Sequence, residues 1–416
     1  MMSHLAQASR TTGNLFSHFA MAVALAGGAV VGSAVITHEA HAQNTRDFVQ
    51  VYEPVAELVS GETPSWTAAR DQFDAVAAAV ESEDDRNVAG NLALQIGNGL
   101  NDPAFQRRGL EMMLASGKTA PEQVGMFQFF VGNLAFNAQD FAEARTALEA
   151  ALAAGYTEND PQGLIVESYL QQGAIAEGVD YLMAQQEAFA ANGQKMPEQW
   201  YLRVLAEAYD ADLAEQSIAV SKALVANHPT SSNWMNALQV VGALRQLEPQ
   251  VELDLLRLMR ETGSLSRRAE YVRYIEAADP RIMANEAGPV LAEGLAADQF
   301  DATDNYYLEV KSIADTRGAA DRADPDGAYT DGLNGDALDA MASGNVMWSL
   351  GDYARAAELY QVAIDKGGDV NAALTRKGMS LAKAGDYAAA VETLGQVTRE
   401  RKPVAEMWAI YAQTEM

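Results

Sequence analysis

The 416-residue chain contains no cysteine. That excludes a disulfide framework, thiol catalysis and a lipid anchor carried on cysteine. Histidine is almost as scarce: of five, His4, His18, His38 and His41 precede residue 43, and only His228 lies beyond it. Multi-histidine metal sites are closed in the remainder, as are serine–histidine relays that do not use His228. Basic residues are few, 29 against 57 acidic ones, for a formal net charge of −28. A nucleic-acid partner is disfavoured, because binding a phosphate backbone needs clustered Lys and Arg. A cationic protein or peptide is the easier partner, although acidic charge also serves solubility. Long apolar runs are absent too, apart from one near the N-terminus.

That run extends from Phe19 to Ile36. Arg10 precedes it, no acid occurs before Glu39, and Ala40-His41-Ala42 follows as a small-x-small sequence. The pattern predicts an export signal over residues 1–42, cleaved after Ala42 to leave Gln43 as the first residue of a periplasmic protein. An uncleaved anchor is the alternative, though Gly27, Gly28 and Gly32 weaken a spanning helix.

Four short sequences imitate catalytic or metal motifs, and each lacks a required part. Ser116-Gly117-Lys118-Thr119 resembles the end of a phosphate loop, but Met112 stands where the first glycine is needed. Ser380-x-x-Lys383 has the spacing of a Ser–Lys acyl-transfer enzyme without its companion motifs. His38-Glu39 has its next histidine at 41, one residue too near, and lies in the segment expected to be removed. Asp324-x-Asp326-Gly327 suggests a calcium loop, but Arg322 and Leu333 occupy places that need oxygen ligands. No catalytic residue, metal site or cofactor motif emerges. His228, followed by Pro229, reads as a helix C-cap. Six arginines (257, 260, 267, 268, 273, 281) crowd together among Glu261, Glu270, Glu276 and Asp279. Arg257 and Glu261 are spaced to pair on one helix face. A solvated face is the leading reading of this cluster, and an anion or acidic-peptide site the other.

What the chain does have is a period. Gly351-Asp352-Tyr353 recurs as Gly385-Asp386-Tyr387, and Gly344 recurs as Gly378, both at an interval of 34 residues. A fixed interval of this length marks stacked repeats. Each unit reads as two amphipathic helices around a tight turn, with the glycine closing the first and the aspartate capping the second. Small residues (Gly344, Ala356, Ala363; Gly378, Ala390) alternate with large ones (Tyr360, Leu394) where helices must cross.

The same landmarks occur upstream. Residues 45–81 read as a helix pair with its turn at 61–65, followed by an acidic turn at 81–85. A degenerate unit runs from Gly90 to Gly117, with Gly97 and Gly109 in close-contact places. Gly132 opens a clearer one, in which Gln139-Asp140-Phe141 replaces Gly-Asp-Tyr and Ala144, Leu148 and Ala151 complete the series. Gly173 lies 34 residues beyond Gln139, and Trp234 lies 34 beyond Trp200. Helical pattern continues from 249 to 313 without a fixed register. Residues 315–336, with six Asp, four Gly and one Pro, read as a linker or loop. A closing helix is expected over residues 403–414.

These residues resemble the tetratricopeptide repeat, with its 34-residue period, first-helix glycine and small–large–small second helix. The resemblance implies an all-α, right-handed superhelical solenoid of antiparallel helix pairs: a degenerate part over 43–314, then a pair plus capping helix over 337–416. It implies a non-enzymatic scaffold that binds a protein or peptide in a groove lined by first helices. The lining positions are then Phe129, Asn133, Phe136 and Asn137; Glu167 and Gln171; Tyr201 and Tyr209; Gln239; and Asn345, Trp348, Ser349 and Lys383. The Lys-and-Asn clamp that some members close on a terminal carboxylate is not matched, since Phe129 precedes Asn133 and Met341 precedes Asn345. A structural subunit of an envelope or secretion complex is the second reading, and an enzyme with an unrecognised site the third.

Overall fold

The computed structural model describes residues 44–245 and 247–416, so the expected export signal lies outside the described residues. Among the described residues there is no strand. Helices follow one another as hairpins: α1 (Arg46–Ser60) and α2 (Trp66–Ala78), α3 (Glu83–Leu100) and α4 (Pro103–Ala115), α5 (Pro121–Asn137) and α6 (Phe141–Ala153), α7 (Pro161–Gln172) and α8 (Ile175–Ala191). Then come α9 (Glu198–Asp210), α10 (Ala214–Asn227), α11 (Ser231–Arg245), α12 (Pro249–Glu261), α13 (Arg268–Ala278) and α14 (Ala284–Ala296). The chain ends with α15 (Asn305–Ala323), α16 (Pro325–Asn334), α17 (Ala337–Leu350), α18 (Tyr353–Asp365), α19 (Val370–Lys383), α20 (Tyr387–Leu394), a 3-10 turn at Arg399–Arg401, and α21 (Lys402–Thr414). The architecture is an all-α solenoid of consecutive packed helix pairs. No described helix is long and apolar enough to cross a membrane.

The repeat landmarks act as their chemistry predicts. Gly351 and Gly385 close α17 and α19 at φ of 82° and 84°, in the left-handed region that a Cβ disfavours. Asp352 then accepts from Arg355 N, and Asp386 from Ala389 N, capping α18 and α20. In the Gly132 unit the closing position is Gln139, held at φ 63° without glycine's freedom.

The chain forms two compact units, one of residues up to Gln185 with Leu202–Glu207, the other of Gln186–Tyr201 with Ala208–Met416. In the first, Phe48, Phe73, Val76, Leu92 and Ile96 fill the space between the opening helices. The expected acidic turn at 81–85 is instead the start of α3. Asp85 is fully buried there, accepting from Ser82 N, Thr45 N and Thr45 Oγ1. Glu83 and Asp84, in the first turn of α3, face Lys118, and acids at a helix N-terminus are favoured.

The stretch over 315–336 is helical, not a linker. Two of its six aspartates are helix caps: Asp324 accepts from Gly327 N and Asp336 from Leu338 N and Asp339 N. Pro325 sits at the first position of α16, where its missing N–H costs nothing. Gly332 is buried against Ser343 and Leu359, so it allows close helix approach rather than flexibility.

Candidate functional site

In the first unit, α5 and α7 present the same positions one period apart. Asn137 Nδ2 donates to Asn133 Oδ1 (3.1 Å), and Gln171 Nε2 donates to Glu167 Oε1 (3.0 Å). Asn133 and Glu167 are separated by 34 residues, as are Asn137 and Gln171, so the two bonds are successive rungs of one ladder. The inner members are buried and the outer amides, Asn137 and Gln171, are exposed. Glu167 is further held by Arg203, through Nε at 3.0 Å and Nη2 at 3.1 Å, and Arg203 also binds Glu207. Burial opposes the Arg203 charge, but the two carboxylates outweigh it and raise the guanidinium's pKa.

The aromatic candidates lie deeper. Phe129 packs on Tyr156 (ring centroids 5.2 Å apart) and Phe136 on Phe141 (5.6 Å). In the second unit Tyr201 is fully buried beside His228, and its hydroxyl has no hydrogen-bond partner. Burial pushes that hydroxyl up to about 12. Tyr209 is half-buried, and Gln239 donates to Glu270. His228 is the C-cap residue of α10, with Nε2 2.8 Å from Met196 O.

The candidates of the C-terminal repeats meet other helices of their own unit. Trp348 donates its indole N–H to Glu286 of α14 (3.1 Å) and lies beneath the Arg257 guanidinium (4.8 Å to the ring centroid). Asn345 accepts from Arg376 Nη1 and from Tyr360 OH, each at 2.9 Å. Lys383 pairs with Glu261 of α12. Ser349 bonds only within α17, to Val346 O. Helices α12 and α14 thus cover the inner side of α17, α19 and α21.

At the centre of that contact is a buried ionic cluster. Asp254, fully buried, accepts from Arg257 (3.0 Å), Arg376 (3.4 Å) and Arg401 (2.6 Å), while its carbonyl takes the Trp408 indole N–H (2.8 Å). Glu286 receives Arg257 through two bonds of 2.7 Å and Tyr274 OH at 2.8 Å. Desolvation would raise the Glu286 pKa, but Arg257 above all, then Tyr274 and Trp348, bring it below the usual carboxylate value. The acceptor sites of both carboxylates are filled by donors of the same chain. The arrangement suits holding helices together rather than proton transfer.

The arginine cluster resolves into pairs. Arg257 bonds to Asp254 and Glu286, not to Glu261, because its side chain points into the core. Arg260 pairs with Glu293, Arg267 with Glu270, Arg268 with Asp304, Arg273 with Glu252 and Arg281 with Asp279. Each guanidinium is therefore already neutralised. The sequence analysis missed Asp254, Glu286 and Arg376. The single local signal is Arg376, which falls one period after Ala342 and so places a charge where the preceding repeat has a methyl group.

Residues 341–406 match the tetratricopeptide-repeat family model. The chain therefore contains tetratricopeptide repeats. The matched segment covers most of α17, all of α18–α20 and the start of α21. Tetratricopeptide repeats generally bind proteins or peptides. No curated protein matches the chain.

Proposed function

We propose that this protein is a non-enzymatic periplasmic scaffold that takes a protein or peptide partner on the first-helix face of its first unit. The observation that carries the proposal is the amide ladder: Asn137 and Gln171 are exposed at equivalent positions of neighbouring repeats, while the corresponding side of the C-terminal repeats is occupied by α12 and α14. Exposed amides in register suit the backbone of an extended peptide, since each offers both a donor and an acceptor. The net charge of −28 favours a cationic partner and disfavours nucleic acid. Export rests on the run from Phe19 to Ile36 and the Ala40-His41-Ala42 sequence.

The test is crosslinking in intact cells, followed by pull-down with wild type and with the Asn137→Ala/Gln171→Ala double variant. The partner captured by wild type should bind the double variant about tenfold or more weakly, with unchanged helical circular dichroism. Equal capture by both proteins moves the partner face off α5 and α7. Recovery at fixed ratio with membrane proteins would favour a structural subunit of an envelope complex instead.

A further inference from the structure

The amide ladder ends in charge. On α9, Arg203 meets Glu167 of α7 (Nε–Oε2 3.0 Å, Nη2–Oε1 3.1 Å), and its Nη1 binds Glu207 one turn along its own helix. These residues all belong to the first unit. Glu207 stands to Arg203 as Gln171 stands to Glu167 and Asn137 to Asn133, four residues on in each case. The third rung therefore carries a carboxylate where the other two carry an amide.

This network is short of one cation. Two carboxylates share a single guanidinium, and no other Lys or Arg bonds to either among the described residues. Glu167 is 3% exposed, Arg203 15% and Glu207 33%, so water reaches the excess charge only from the Glu207 end. Holding an unmatched charge in such surroundings is costly. The buried cluster of the second unit makes the contrast, since Asp254 and Glu286 meet three arginines there, Arg257, Arg376 and Arg401. The covered network is complete in cations, and the one beside the exposed amides is not.

The atoms left open are acceptors. Gln171 spends Nε2 on Glu167, which as an ionised carboxylate only accepts, so its own Oε1 stays unengaged among the described residues. Glu207 gives Oε1 to Arg203 and keeps Oε2 free in the same sense. We propose that the partner face of the first unit seats a basic side chain of an extended peptide against Glu207, with the Gln171 carbonyl as the second acceptor. Lysine and arginine share the chemistry required, a positive charge with several N–H donors. The proposal rests on α5 and α7 being the partner face and adds the residue that selects a cation there.

Fluorescence anisotropy with the full chain tests it. The probes are labelled, end-capped octapeptides of Ala and Ser that differ at one central position, which is arginine, lysine or citrulline, the neutral counterpart of arginine. Wild type should bind a basic peptide about tenfold or more tightly than the citrulline peptide, and the tighter of the two basic peptides identifies the side chain. Glu207→Gln should bind all three within about threefold of one another, whereas Glu53→Gln, an equal charge change at an exposed position of α1, should keep the preference. Glu207→Gln should also melt no lower than wild type, because Gln retains an oxygen for Arg203 while the unmatched charge is removed. Equal affinity of wild type for basic and citrulline peptides overturns the proposal and leaves the partner face standing. So does a preference that survives Glu207→Gln, or a lower melting temperature, which would make Glu207 a structural counter-charge. Failure of every peptide to bind at about 1 mM overturns the partner-face reading and this proposal with it.

Discussion

Gly378 has no room for a side chain: a Cβ there would lie 2.4 Å from Leu394 Cγ. Gly378→Leu should therefore destabilise the protein by about 1–3 kcal/mol through overpacking. Gly385→Ala has open space around it but a φ of 84°, so its cost, about 1 kcal/mol, comes from the backbone alone. Thermal melts of the two variants check both, and an unchanged curve for either refutes the role given to that glycine. Tyr201 is the converse. Its buried hydroxyl lacks a partner, so Tyr201→Phe should hold or raise stability by up to about 1 kcal/mol. Such glycines were legible in the sequence because turn closure and helix crossing are local demands that recur with the period. The burial of Phe129, Phe136 and Tyr201 was not, because a shared first-helix position does not say how far a side chain turns toward the neighbouring hairpin.

At the scale of helices, composition misled where capping chemistry decided. Residues 315–336 are rich in Asp, Gly and Pro, which in isolation mark a loop. In the structure Asp324 and Asp336 each start a helix and Pro325 occupies a first turn, so three residues of that composition specify helix boundaries. The contact of α12 and α14 with α17–α21 was equally hidden, since Asp254 and Arg401 are 147 residues apart and obey no period. That contact makes stability depend on acid. The Glu286 pKa is lowered on folding, so its contribution is present above the unfolded value of ~4.3 and is lost as pH falls through the lower folded value. Glu286→Gln leaves Arg257 buried without its main counter-charge and should cost about 3–5 kcal/mol near neutral pH. Below pH ~4 the gap between variant and wild type should narrow. Denaturant melts across pH measure this, and a constant gap would remove Glu286 from the account.

Over the whole second unit, a linear stack and the observed arrangement predict different responses to one change. In a linear solenoid each repeat touches only its neighbours, so an alteration in α21 is felt in α20 and little further. Here Arg401, just before α21, binds Asp254, while Trp408 donates to the Asp254 carbonyl and Tyr411 to Glu261, all on α12. Lys222 of α10 pairs with Glu406 as well. Replacing Trp408 with Ala removes a fully buried indole at this junction and should cost about 3–5 kcal/mol. The informative readout is where the loss appears. Hydrogen exchange monitored by mass spectrometry should show faster exchange over 249–261 as well as over 387–414, because the two segments protect each other. Faster exchange confined to 387–414 would mean that α21 is an ordinary terminal cap, and that the face of the C-terminal repeats opens readily to a partner. Loss of protection in both segments would mean that a partner reaches that face only by displacing α12 and α14, which leaves the amide ladder of the first unit as the exposed alternative.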